Sequence, residues 1–114
     1  MGQEQRQFKR IPEAFNVQCR PAGTLSEVWR LVVTIDFSAG GIGFESQQAF
    51  DIGDALEIQM TIPSFRTPLI VKGSVVRIKT TPWSTSECAA QFFDVTPDQQ
   101  FALDELVAFL SKPL

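Results

Sequence analysis

From Leu56 to Ile62 the chain alternates strictly: Leu56, Ile58, Met60 and Ile62 are apolar, while Glu57, Gln59 and Thr61 between them are polar. A period of two places each set on one face of an extended strand, so this segment asks for a sheet with one dry and one wet side. Shorter runs repeat the demand. Phe15, Val17 and Cys19 alternate with Asn16, Gln18 and Arg20, and Val28 to Phe37 is almost continuously apolar around Leu31, Val32, Val33 and Ile35. Ile42 to Glu45, Leu69 to Thr80 and Cys88 to Val95 complete the set. Pro21 to Gly23, Asp51 to Asp54, Pro63 to Pro68 and Thr81 to Ser86 punctuate the runs, and no internal repeat relates them. Six strands separated by Gly, Pro, Ser and Asp predict an all-β barrel or sandwich. Gly73, inside the longest run, predicts a bulge or bend there.

The period changes at the C-terminus. Thr96, Pro97, Asp98 and Gln99 spell a helix start, with threonine as N-cap, proline in the first turn and glutamine where a capping box wants it. Leu103, Leu106, Val107 and Leu110 then recur at helical spacing, so a C-terminal α-helix should lay this stripe on the barrel, with Asp104 and Glu105 facing water.

With 114 residues, one domain accounts for the whole chain: a flexible arm over residues 1–13 and the barrel with its helix over residues 14–114. No apolar run approaches the roughly 20 residues of a membrane helix. The start, M-G-Q-E-Q-R-Q-F-K-R, lacks the apolar segment of a secretory signal. A cytoplasmic location without membrane insertion is expected. Cys19 and Cys88 stand far apart with no histidine in the chain, so neither a zinc pattern nor any other metal site is drawn, and both are read as reduced core residues.

The same absence of histidine removes the commonest general acid–base group, and no base stands near Ser38 to activate it, so the chain is not read as an enzyme. A formal net charge of −3 repels a long polyanion, and with no tyrosine in the chain DNA and RNA are both disfavoured as partners. An anion would have to be caught locally.

Two segments carry the chemistry for that. Arg6-Gln7-Phe8-Lys9-Arg10 is the most basic stretch, placing two arginines four apart. Asp36-Phe37-Ser38-Ala39-Gly40-Gly41-Ile42-Gly43 sets a carboxylate and a hydroxyl on alternate positions, which point to one side of a strand, and then supplies glycines. Each alone has a plain reading, a solvated tail and a polar turn bonded to its own backbone.

Together the two segments resemble the PilZ domain family, whose signature is R-x-x-x-R followed some tens of residues later by [D/N]-x-S-x-x-G. Arg6 and Arg10 match the first motif, and Asp36, Ser38 and Gly41 the second. Gly73-Ser74-Val75-Val76-Arg77 and Ala90-Gln91-Phe92 look like the family's later strands. The resemblance implies an all-β, six-stranded antiparallel split barrel with a C-terminal α-helix, binding of the dinucleotide cyclic di-GMP, no other cofactor, and relay of the signal to an effector protein in motility, pilus or exopolysaccharide machinery.

Residue chemistry agrees with that implication. Arginine forks onto the N7/O6 edge of guanine, stacks on purines and grips phosphate, which suits Arg6 and Arg10. A carboxylate such as Asp36 accepts from guanine N1–H and N2–H, which adenine does not offer as a pair. Ser38 is a candidate partner of base or phosphate, and Gly41 would allow close backbone approach, with Gly40 beside it. Lys9 and Arg77 are further candidate cations. Many relatives carry a basic residue immediately before R-x-x-x-R, associated with a stacked pair of ligands, whereas this chain has Gln5, which favours one ligand per domain. The competing expectation is a barrel of the same kind that serves as a protein–protein adaptor and does not bind nucleotide.

Overall fold

The computed structural model describes residues 16–23, 28–62 and 65–111. Six strands appear in the expected order: β1 Asn16–Pro21, β2 Arg30–Ser38, β3 Gly41–Ser46, β4 Ala55–Met60, β5 Leu69–Thr80 and β6 Ser86–Phe93. They close into a barrel in the spatial order β1-β2-β3-β6-β5-β4, with every neighbouring pair antiparallel. The alternation in β4 behaves as its pattern demands, for Leu56, Ile58 and Met60 are buried and Ala55, Glu57 and Gln59 are not. Inward residues of all six strands form one core around Phe37, Phe44, Ile42 and Val71, with Phe37 and Phe92 tilted at a ring separation of 6.3 Å.

Helix α1, Pro97–Leu110, starts as its sequence dictates. The Thr96 hydroxyl accepts from the Gln99 N–H at 3.1 Å, and the Gln99 side chain accepts from the Thr96 N–H at 2.9 Å. Ala102, Leu103 and Leu106 join the barrel core, and Val107 and Leu110 pack at its margin; Asp104 and Glu105 are exposed. Gln99 also donates to the Ile70 carbonyl at 2.9 Å, fastening the first turn of the helix to β5. Cys19 and Cys88 are buried free thiols.

Gly73 is not where the ladder breaks. It pairs regularly with Leu56 on one side and Phe92 on the other, and β5 is irregular instead between Val75 and Arg77. Glycine is needed at 73 for space, since a Cβ there would stand 2.9 Å from Ile58 Cδ1. A second irregularity, between Thr34 and Asp36, breaks the β2–β3 register.

That second bulge resets which side chains face the core. Before it, Val32 and Thr34 point inward; after it Phe37 does, fully buried. One extra residue in a strand inverts the in–out alternation that follows. Asp36 and Ser38 therefore take the outer face of the barrel, while their neighbour Phe37 fills its centre.

Candidate functional site

Cross-strand register builds the site row by row. Asp36 of β2 lies opposite Gly43 of β3, Gly43 opposite Ala89 of β6, and Ala89 opposite Arg77 of β5. Directly paired residues project from the same face of a sheet, so this row is a carboxylate and a guanidinium facing each other across a floor with almost no side chains. Three strand spacings separate the ends, about 14 Å. Both bulges flank the row, one beside Asp36 and one beside Arg77. The recess over it has a volume of about 250 Å³ and is lined by Ile35, Asp36, Gly43, Arg77, Lys79, Glu87 and Cys88.

Gly43 fits the carboxylate closely: a Cβ on this glycine would lie 2.6 Å from Asp36 Oδ1. Gly41 meets backbone instead, with its virtual Cβ 2.7 Å from the Ala90 carbonyl oxygen, so the motif glycine lets β3 and β6 approach each other. Ser38 is buried within its turn. Its hydroxyl accepts from the Gly40 N–H at 3.2 Å and stands 3.5 Å from the Gly41 carbonyl, a bonding pattern that holds the β2–β3 corner. The Gly40 carbonyl accepts from the Phe92 N–H at 3.0 Å, tying the same corner to β6.

The structure thus brings Asp36 and Arg77 into one recess, with Ser38, Gly40 and Gly41 forming the adjoining corner. Gln5, Arg6, Lys9 and Arg10 lie outside the described residues, as does the 1–13 arm to which they were assigned. Lys79 and Glu87, both in the recess, are absent from the sequence-based candidates. A signal for them existed: Lys79 follows Arg77 by two positions and must share its face. Their pairing across β5 and β6 is a register fact that the sequence does not display.

Arg20 and Glu57 are committed elsewhere. Arg20 Nε donates to Glu57 Oε1 at 2.8 Å, and its guanidinium lies 4.2 Å from the centre of the Trp29 ring. A larger groove of about 770 Å³ runs along Val28 to Val33 and Glu45 to Gln48, at the end of the β2–β3 hairpin away from the Ser38–Gly41 corner. Its lining is apolar and neutral apart from Arg30 and Glu45, and it contains neither Asp36 nor any other residue of the D-x-S-x-x-G motif. Burial pushes the Cys19 thiol up to about 11, with the Cys88 thiol adding to the shift, so neither cysteine is poised as a nucleophile. Among the described residues no group of three His, Cys, Asp or Glu side chains is placed to hold a metal ion, and no helix is long and apolar enough to cross a membrane.

The PilZ domain model matches residues 4–111, nearly the full length of the chain. The chain belongs to the PilZ domain family. No curated protein sequence matches it. Among solved structures, this PilZ domain superposes on the inhibitor of motility MotI/DgrA of Bacillus subtilis with a TM-score of 0.71 at 21% identity, over 93% of this chain and 51% of that one. The PilZ domain of CeSA from a cellulose-synthesizing bacterium gives 0.70 at 19% identity, covering 91% of this chain and 99% of that one. The PilZ domain of YcgR from Escherichia coli, solved with c-di-GMP, gives 0.68 at 15% identity, over 94% and 92% of the two chains. Isolated PilZ domains are matched end to end, whereas the chain spans about half the length of MotI/DgrA. At these identities the likeness establishes the barrel and its helix.

Proposed function

We propose that this PilZ domain is a receptor module for cyclic di-GMP. The observation that carries the reading is the Asp36–Gly43–Ala89–Arg77 row, an open floor with a carboxylate at one end and a guanidinium at the other. Asp36 accepts the N1–H and N2–H donors of one guanine, and arginine forks onto an N7/O6 edge or a phosphate. The hydrogen bonds of the Ser38–Gly41 corner fix the end of β2 two residues beyond Asp36. Arg6 and Arg10 supply the remaining cations. Strand β1 begins beside Val33, three residues short of Asp36 along β2, and Arg10 precedes Asn16 by six residues. An extended chain of that length spans at most about 20 Å, so Arg10 is within reach of the recess. Gln5 in place of a basic residue favours one ligand per domain, Lys9 and Gly40 take secondary roles, and rearrangement of the N-terminal arm passes the signal to an effector protein. The solved complex of a YcgR PilZ domain with c-di-GMP supports the choice of ligand.

The test is calorimetric titration of cyclic di-GMP into the full chain, beside Arg10→Ala and Asp36→Ala variants and with cyclic di-AMP as control. Saturable binding to the wild type that both variants weaken and cyclic di-AMP fails to reproduce is the expected result. A wild-type chain that binds neither dinucleotide overturns the reading in favour of a nucleotide-independent adaptor.

A further inference from the structure

Lys79 belongs to the same recess as Asp36 and Arg77, though no motif includes it. It stands two residues beyond Arg77 on β5, on the same outward face and about 7 Å further along the strand. Its cross-strand partner is Glu87, and the next residue in that row is Glu45, whose Oε2 accepts from the Thr85 hydroxyl at 2.6 Å. The row beside the Asp36–Arg77 floor therefore holds two carboxylates and one ammonium. In a chain of net charge −3, a dianion arriving over this floor meets repulsion from Glu45 and Glu87 unless a cation in the same row offsets it.

We infer that Lys79 is a ligand-contacting residue that takes a phosphate of the dinucleotide whose guanine Asp36 reads, and that Glu87 restrains its affinity by competing for the same ammonium. The inference rests on the cyclic di-GMP reading and adds a phosphate subsite on β5. An ammonium is a compact point charge on a flexible stem, suited to a phosphate oxygen and indifferent to which base is attached. Its contribution differs in kind from that of Asp36. Loss of Asp36 erases the preference for guanine, and loss of Lys79 lowers affinity while leaving that preference in place.

Titrating cyclic di-GMP and cyclic di-AMP into the full chain and its Lys79→Ala, Lys79→Arg and Glu87→Gln variants, at low and high salt, tests this. Lys79→Ala should weaken cyclic di-GMP binding about tenfold, the size of one charge-assisted contact at an exposed site, and flatten its salt dependence. Lys79→Arg should retain most of the affinity. Glu87→Gln should tighten binding about two- to threefold, a change opposite in sign to that of its partner and not explained by loss of structure. Thermal melts of all variants are expected to stay close to the wild type. If the wild type binds cyclic di-GMP and Lys79→Ala binds it with the same affinity and salt dependence, the phosphate subsite is wrong while the receptor reading stands. If the wild type does not bind at all, both fall.

Discussion

Gly41 and Gly43 sit two residues apart in β3, yet replacing each with alanine should damage different properties. A Cβ at Gly41 would stand 2.7 Å from the Ala90 carbonyl oxygen, against the 3.4 Å or more of ordinary contact, and both partners are backbone in a paired ladder. Relief requires β3 and β6 to separate at a point where Gly40 also holds the Phe92 N–H. Overpacking of this kind costs about 1–3 kcal/mol. For a domain of this size that is a fall in melting temperature of about 4–15 °C. A Cβ at Gly43 instead meets Asp36 Oδ1 at 2.6 Å, the end of a side chain that can turn away. Gly43→Ala should therefore melt within about 4 °C of the wild type, a cost below ~1 kcal/mol, yet misplace the carboxylate and weaken cyclic di-GMP about tenfold or more. Differential scanning calorimetry of the apo chains, paired with ligand titration, separates the two effects. A Gly41→Ala protein that melts within about 2 °C of wild type but has lost its ligand would refute the backbone assignment and return Gly41 to the ligand.

Removing the helix cap by Thr96→Ala should cost about 1 kcal/mol, measured as a lower urea midpoint with unchanged slope; no change would mean the capping box is dispensable. Cys19 gives a pH signature at the alkaline end. Its thiol ionises near 9.0 in the unfolded chain and at about 11 in the barrel, so the unfolded state loses its proton first and stability should fall as pH rises from 9 to 11. The Cys19→Ala variant should show a shallower fall in urea titrations at pH 8, 9 and 10, and an unaltered slope would contradict the burial argument.

How far the sequence led is best judged strand by strand. The alternation of Leu56, Ile58 and Met60 and the Thr96–Gln99 cap are local patterns whose physical cause lies within a few residues, and both survive folding unchanged. The alternate spacing of Asp36 and Ser38 put them on one face, which is correct, but which face depends on the bulge at Ile35, and no residue type there announces a bulge. Gly73 did look like one, and was needed instead to clear Ile58 on the neighbouring strand. The opposition of Asp36 to Arg77 exists only once β3 and β6 are interposed in register, a relation between segments some forty residues apart, whereas Lys79 and Glu87 face each other directly across β5 and β6 and depend on that pair's register alone.

Closure of the six strands has a consequence for how such a unit is used. An open sheet offers its outermost backbone groups to any strand that comes near, so linking it to a second domain invites unwanted pairing. A ring in which β1 meets both β2 and β4 has no outermost strand to offer. Such a barrel can be carried inside a longer polypeptide without its neighbours needing to shield it, in keeping with the match of this fold to roughly half of the MotI/DgrA chain and to nearly all of the isolated CeSA domain. Selection on those companions is then free to change what the module is attached to while leaving the module alone.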